Sequence, residues 1–234
     1  VIDEGQKPPP PMTLRVCDSI TCEMFGAETL IKKLRDSCSD DIRIQRVPCV
    51  GRCDAAPVAV LGKHPVPHAS LTTVSAAINN GDTTFGTVEP WIHLDAYRRD
   101  DGYEVFRRCR DGTILHDSIL NALESSGLRG LGGAGFPAGK KWRILKEQSA
   151  PRIMAVNIDE GEPGTFKDRY YLERDPHRFL EGMMIAAEVV DIDSIYLYVR
   201  DEYPGVLQVL RDSIEELSDE FGTLTAKIEL RRGA

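Results

Sequence analysis

The sequence contains no long apolar run. Nothing in it approaches the roughly 18 consecutive residues needed to cross a bilayer as a helix, so no transmembrane segment is expected. It also lacks any excess of positive charge: 29 Lys and Arg face 37 Asp and Glu, for a net charge of −8. No basic stripe is available to neutralise phosphates, which argues against a nucleic-acid binder. Residues 1–11 show no basic-then-apolar secretory pattern. No G-x-S-x-G elbow, no H-E-x-x-H pair and no internal repeat is found, which removes serine hydrolases of the elbow type, zincins and solenoids. Pro8 to Pro11 read as a stiff extended linker, and Val1 is not an initiator residue, so the chain is expected to be preceded by more sequence.

The most informative feature present is cysteine. Six cysteines without a leader favour a reducing, cytoplasmic setting and metal ligation over disulfides. Four of them form two pairs, Cys17-x4-Cys22 and Cys49-x3-Cys53. The first pair follows the strand-like run Leu14-Arg15-Val16 and is expected in a loop before a helix. The second follows the strand-like run Ile42 to Val47 and is wrapped in Pro48, Gly51 and Pro57. Loops at the ends of two neighbouring strands can converge on one metal centre, and four thiolates complete a cluster or a zinc site. Structural zinc favours the tighter C-x2-C knuckle, so the wider gaps point first to [2Fe-2S], with zinc and disulfides as the alternatives. Cys38 and Cys109 have no partner spacing and read as ordinary thiols.

With 234 residues, 41% of them hydrophobic, the chain suits two α/β domains. Residues 1–11 are read as linker, 12–87 as a first domain and 88–234 as the beginning of a second. In the first, a helix is expected over Gly26–Cys38, with Leu30, Ile31 and Leu34 on one face, then strands at Ile42–Val47 and Val58–Leu61. A second helix follows over Ser70–Asn80, capped by Ser70 and ended by Gly81. His64 and His68, flanking Pro65 and Pro67, are placed in a loop. In the second domain, helices are expected at Gly102–Arg110, Ser118–Ser125, Pro176–Val190 and Pro204–Glu220, and strands at Arg152–Asn157, Ser194–Val199 and Thr225–Leu230. This alternation implies a mostly parallel sheet with ligands at the carboxyl ends of its strands.

Two loops of that domain carry chemistry. Gly130-x-Gly132-x-x-Gly135, with Gly133, Phe136 and Pro137, runs on to Lys141 and Trp142. Glycines let backbone N–H groups approach an anion, and Lys141 supplies charge. The preceding segment reads as helix, so this is not an ordinary Rossmann turn. The second loop, Asn157 to Arg169, is acidic and suits hydroxyls, amides or a ring imide rather than phosphate. A flavin mononucleotide presents both needs.

These residues resemble two known families. Cys17 to Cys53 resemble the thioredoxin-like [2Fe-2S] ferredoxins. The run Gly127 to Pro137, Lys141-Trp142 and Asn157 to Arg169 resemble the FMN-binding, 51-kDa-type subunit of complex I, a module also used by NAD-reducing hydrogenases and NAD-dependent formate dehydrogenases. The fusion of both is most similar to the beta subunit of a cytoplasmic molybdenum- or tungsten-dependent formate dehydrogenase. The resemblance implies Cys17, Cys22, Cys49 and Cys53 as cluster ligands. It implies Gly130, Gly132, Gly133 and Lys141 around the FMN phosphate and ribityl chain, and Asn157, Asp159 and Glu160 on the ribityl hydroxyls and isoalloxazine edge. It places Phe136 and Glu162 on NAD(H), and a catalytic alpha subunit as partner. Leu131 departs from the arginine that complex I usually carries there. The families continue past this point into a ubiquitin-like and a [4Fe-4S] domain, so the chain is expected to be a fragment. The rivals are a stand-alone ferredoxin-like carrier with a structural appendage, and a zinc-stabilised interaction module.

Overall fold

The computed structural model describes residues 10–131, 134–222 and 226–233. The chain divides into two compact units. The first takes the chain up to Val88 together with Asp159–Tyr170 and Arg200–Gly205. The second takes Glu89–Ile158, Tyr171–Val199 and the chain from Val206 onward.

In the first unit β1 (Met12–Cys17), α1 (Ile20–Met24), α2 (Ala27–Ser37), β2 (Ile42–Val47), β3 (Ala59–Leu61), β4 (His64–Val66) and α3 (Leu71–Asn80) follow in order. The sheet order is β2-β1-β3-β4. β1 and β2 are parallel and in register from Met12↔Ile42 to Cys17↔Val47, whereas β3 is antiparallel to both β1 and β4. Parallel pairing brings the carboxyl ends of β1 and β2 to the same rim, which is where both cysteine pairs begin. Leu30, Ile31 and Leu34 of α2 pack with Leu14, Val16, Leu61 and Val74 in one core, the face their spacing predicts. α3 starts in a capping box: the Ser70 hydroxyl accepts from Thr73 N–H at 3.2 Å, and Thr73 Oγ1 accepts from Ser70 N–H at 2.9 Å. Gly81 ends it in a left-handed conformation.

Two expectations need correction here. Cys22 lies within α1, not in a loop before a helix. His64–Val66 is a strand rather than part of a loop. Pro65 removes one N–H, but β4 is an edge strand, where that loss costs no ladder bond to a further neighbour.

The second unit holds α4 (Leu94–Arg99), α5 (Glu104–Arg110), α6 (His116–Ser126), α7 (Ala138–Lys146), β5 (Ile153–Ile158), α9 (Pro176–Val190), β6 (Ser194–Val199) and β7 (Lys227–Arg232), with most of α10 (Pro204–Phe221). The short α8 (Lys167–Leu172) begins in the first unit and ends in the second. β5-β6-β7 form an all-parallel sheet, as the alternation of strands and helices predicts. Asp175 caps α9 by accepting from Arg178 N–H, with Pro176 at the first helical position. Val206, Val209, Leu210 and Leu217 of α10 are fully buried, while Leu207 and Ile214 are half-buried. The sequence reading missed α4, α7 and α8, each short, and began β7 at Thr225, which lies outside the described residues.

A polar network, buried at Tyr103 and His177, ties α4, α5, α9 and α10 together. Tyr103 Oη lies 3.0 Å from His177 Nδ1, and His177 Nε2 lies 2.9 Å from Glu216, which also meets His93 at 2.7 Å. Burial lowers the His177 pKa and outweighs the pull of Glu216. The ring is therefore neutral, donating from Nε2 and accepting from Tyr103 at Nδ1. The unfolded imidazole titrates near 6.5, so below that pH the unfolded state binds a proton that the folded state refuses. Stability is expected to fall as pH drops through this window, by up to about 1.4 kcal/mol per pH unit. Urea titrations at pH 7.5 and 6.0 check this. His177→Gln flattens the dependence, and an equal slope in both proteins would refute the assignment. Glu216 adds little in this range. Burial pushes its carboxyl up, but hydrogen bonds from His93, Leu94 N–H and His177 hold it below the ordinary value, so its contribution is lost only at more acidic pH.

Candidate functional site

The first unit gathers the four paired cysteines. Cys17 is the last residue of β1 and Cys22 lies one turn into α1. Cys49 stands two residues beyond β2, and Cys53 opens a short 3-10 turn. Cys17, Cys22 and Cys49 are almost fully buried. The Cys49 and Cys53 sulfurs are 3.4 Å apart, and the Cys17 thiol contacts those of Cys22 and Cys49. The sulfurs thus form a chain of neighbours, Cys22–Cys17–Cys49–Cys53. Among the described residues, no three His, Cys, Asp or Glu side chains close around one single-ion position. Contact with Cys22 and then Cys49 drives the Cys17 pKa down, while contact with Cys17, followed by burial, drives those of Cys22 and Cys49 up. Thiols this close cannot all ionise unless a cation neutralises them, and iron in a cluster does so.

Backbone N–H groups point at these sulfurs. Ser19 and Val50 reach Cys17, Val58 reaches Cys22, and Gly51 N lies 3.4 Å from Cys49 Sγ. Gly164 N lies 3.1 Å from Cys53 Sγ. N–H dipoles aimed at thiolates are the environment an iron–sulfur cluster uses. The donor set and its buried, N–H-lined setting fit the [2Fe-2S] group that the spacing suggests. Cys38 caps α2 and Cys109 is buried in α5, so neither belongs to this centre.

Around the Cys49–Cys53 loop lies a shell the sequence reading did not identify. Arg169 donates to Gly51 O at 3.0 Å and to Asp54 at 2.6 Å. Arg200 donates to Cys49 O at 2.7 Å, to Glu160 O and to Glu202 at 3.1 Å. Both arginines are buried, and the fully buried Tyr203 packs against Gly51. Glu202 raises the Arg200 pKa in spite of burial, so its charge is secure.

The acidic segment has a definite geometry. Glu160 is 5% exposed, and its two carboxylate oxygens accept from Asp168 N–H at 2.9 Å and Arg169 N–H at 3.2 Å, which caps α8. Tyr203 donates to it at 3.3 Å. Asp159 and Glu162 are exposed, and the Glu162 carbonyl accepts from Thr165 N–H. The expected acidic loop therefore starts as β5, which carries Asn157, and ends as α8.

In the second unit the glycine loop leaves α6 through the left-handed Gly127 and closes on itself. Gly130 N donates to Phe136 O at 3.0 Å, Ala138 N donates to Leu128 O at 2.8 Å, and Arg129 pairs with Pro137. Gly132 and Gly133 lie outside the described residues. Phe136 and Lys141 are exposed, with Lys141 on the first turns of α7. Gly139 lets α7 sit tight against α6, because a Cβ there would come within 2.7 Å of the Glu124 backbone nitrogen. Arg143 completes the clamp with bonds to Glu124 at 3.0 and 3.1 Å.

Comparison with known proteins follows this division. Residues 5–81 match the thioredoxin-like [2Fe-2S] ferredoxin family, and residues 123–234 match the Nuo51 FMN-binding domain. The chain is 43% identical over 129 residues to an NADH-quinone oxidoreductase subunit of Aquifex aeolicus, covering 55% of this chain and 30% of that protein. It is 42% identical over 106 residues to the mitochondrial NADH-ubiquinone oxidoreductase 51 kDa subunit of Neurospora crassa, covering 43% and 22% respectively. The solved structure of an H2-reduced NAD+-reducing [NiFe]-hydrogenase superposes on 98% of this chain and 44% of its own, with TM-score 0.80 and 29% identity. The chain thus spans less than a third of the subunits it matches in sequence. Its fold is that of a thioredoxin-like [2Fe-2S] domain followed by an FMN-binding domain, each unit matching its own family model over part of the chain.

Proposed function

We propose that this chain is part of a diaphorase subunit that passes electrons between iron–sulfur centres, FMN and NAD+/NADH in a multi-subunit oxidoreductase. The observation that carries this reading is the presence, in one chain, of a largely buried four-cysteine centre and an FMN-type domain. FMN, when bound, links the hydride pair of nicotinamide to the single electrons of iron–sulfur clusters. The protein's part is to hold the groups and to set their surroundings.

In this reading Cys17, Cys22, Cys49 and Cys53 ligate the cluster. Gly130, Gly132, Gly133 and Lys141 hold the FMN phosphate, and Asn157 and Asp159 accept from its hydroxyls and ring edge. Phe136 and Glu162 meet the nicotinamide nucleotide. Glu160, whose oxygens are committed to α8, holds the segment that presents Asp159 and Glu162. Lys141 is exposed, so replacing it spares the fold. Lys141→Ala in the complete subunit is expected to weaken FMN binding roughly 10- to 100-fold, the loss of one charge-assisted contact. Fluorescence of released flavin measures it, and unchanged flavin content would remove Lys141 from the site.

The electron donor is the finer question. The fused order of the two domains supports a formate dehydrogenase beta subunit, with formate oxidised at a molybdenum or tungsten centre on an alpha subunit and a [4Fe-4S] domain in the remainder of the subunit. The similarity to the hydrogenase structure, over nearly the whole chain, supports H2 as the alternative. NADH formation by the assembled complex, followed anaerobically with formate or with H2, decides between them. Among the described residues no helix is long and apolar enough to cross a membrane. The six free thiols support a reducing, cytoplasmic setting.

A further inference from the structure

We propose that the [2Fe-2S] site is completed by residues outside the ferredoxin-type domain: Gly164 as a direct N–H donor to the Cys53 sulfur, and Arg200 and Arg169 as positioning residues that hold the Cys49–Cys53 loop and set the potential of the cluster. This rests on the reading of the four cysteines as cluster ligands.

The geometry runs through single peptide groups. A trans peptide points its C=O and its N–H in opposite directions. The carbonyl of Cys49 accepts from Arg200 at 2.7 Å, and the N–H of the same peptide belongs to Val50, which reaches the Cys17 sulfur. Arg200 therefore fixes the direction of an N–H···S bond from behind. By drawing charge onto the carbonyl it also strengthens the donor at the other end. Arg169 holds the same loop two residues further on, through Gly51 O at 3.0 Å. It is held in place by Asp54, while Arg200 is held by Glu202 and the Glu160 carbonyl. Gly164 closes the set at 3.1 Å from Cys53, the ligand left partly exposed. None of Gly164, Arg169 and Arg200 falls in the residues matched to the ferredoxin family, 5–81. All three belong to the same compact unit as the cysteines.

Reduction adds one negative charge to the cluster, and hydrogen bonds to its sulfurs favour the reduced form. Slackening them makes the cluster harder to reduce. Arg200→Gln and Arg169→Gln in the full chain are expected to shift the one-electron equilibrium toward the oxidised cluster by about tenfold, which is about 59 mV. Arg200→Lys keeps the charge without the planar fork and recovers only part of the shift. A redox titration followed by EPR reads the potential, with iron content measured alongside. Unchanged potentials in the variants, at two irons per chain, would overturn the proposal.

A second measurement needs no variant. Glycine-selective 15N labelling with pulsed EPR of the reduced wild-type cluster is expected to show two coupled glycine nitrogens, Gly51 and Gly164. A single coupled glycine overturns the role of Gly164, and it decides the matter where a variant fails to retain iron. A wild-type protein with no iron–sulfur signal at all defeats the underlying cluster reading instead, so the two failures are distinct.

Discussion

Replacing any one of Cys17, Cys22, Cys49 or Cys53 by alanine is expected to abolish the rhombic EPR signal of the reduced protein and to drop iron from two atoms per chain to near zero. A two-iron cluster held by four thiolates has no spare ligand, and the N–H groups that contact these sulfurs cannot replace a thiolate. The same substitution at Cys38 or Cys109 leaves the signal intact. Cys38 ends α2, and Cys109 is buried in α5 in the other unit, where losing its sulfur costs roughly 1 kcal/mol of packing. The contrast of four against two is what makes the experiment sharp. Loss of signal in all six variants would mean that the chain tolerates no thiol change, and would say nothing of ligation. Retention in any of the four would displace that residue from the cluster. A colourless wild-type protein with one zinc ion would replace the electron-transfer reading with a structural one.

Much of this was readable from local pattern. α9 announces itself through Asp175, Pro176 and an apolar periodicity, and β6 through a run rich in β-branched and aromatic residues; both appear at the expected bounds. The two cysteine pairs are visible as spacing, and their convergence follows from the parallel pairing of β1 with β2. Several of the short elements were not readable. His64-Pro65-Val66 carries loop composition and becomes a strand only because Ala59–Leu61 is there to pair with it. Glu160 and Glu162 look alike in an acidic run, yet one is buried as a helix cap and the other is exposed. Arg200 stands beside Asp201 and Glu202 in the sequence and belongs to no motif there. Its bond to the Cys49 carbonyl spans 151 positions, a separation no local pattern encodes. The residues that shape the cluster's surroundings were therefore the least visible, because their role is defined by tertiary packing and not by periodicity or motif.

Gly51 concentrates that packing at one atom. It lies between Cys49 and Cys53, has φ +68°, and donates its N–H toward Cys49 Sγ. A Cβ added there would sit 2.2 Å from Tyr203 Oη and 2.4 Å from a ring carbon, far inside contact distance. Tyr203 cannot swing away cheaply, since it is fully buried and donates to Glu160. Gly51→Ala is therefore expected to cost about 1–2 kcal/mol for the left-handed backbone and a further 1–3 kcal/mol or so for overpacking. The loop must move to relieve the clash, so iron occupancy falls with stability. Urea unfolding and iron analysis on the same preparations read both effects. Tyr203→Ala removes the obstacle and separates the two costs. In that background Gly51→Ala should retain only the backbone part, giving a coupling of about 1–3 kcal/mol in the double-mutant cycle. A coupling near zero would show that the Tyr203 ring does not press on the cluster loop, and that the left-handed conformation alone demands glycine between these cysteines.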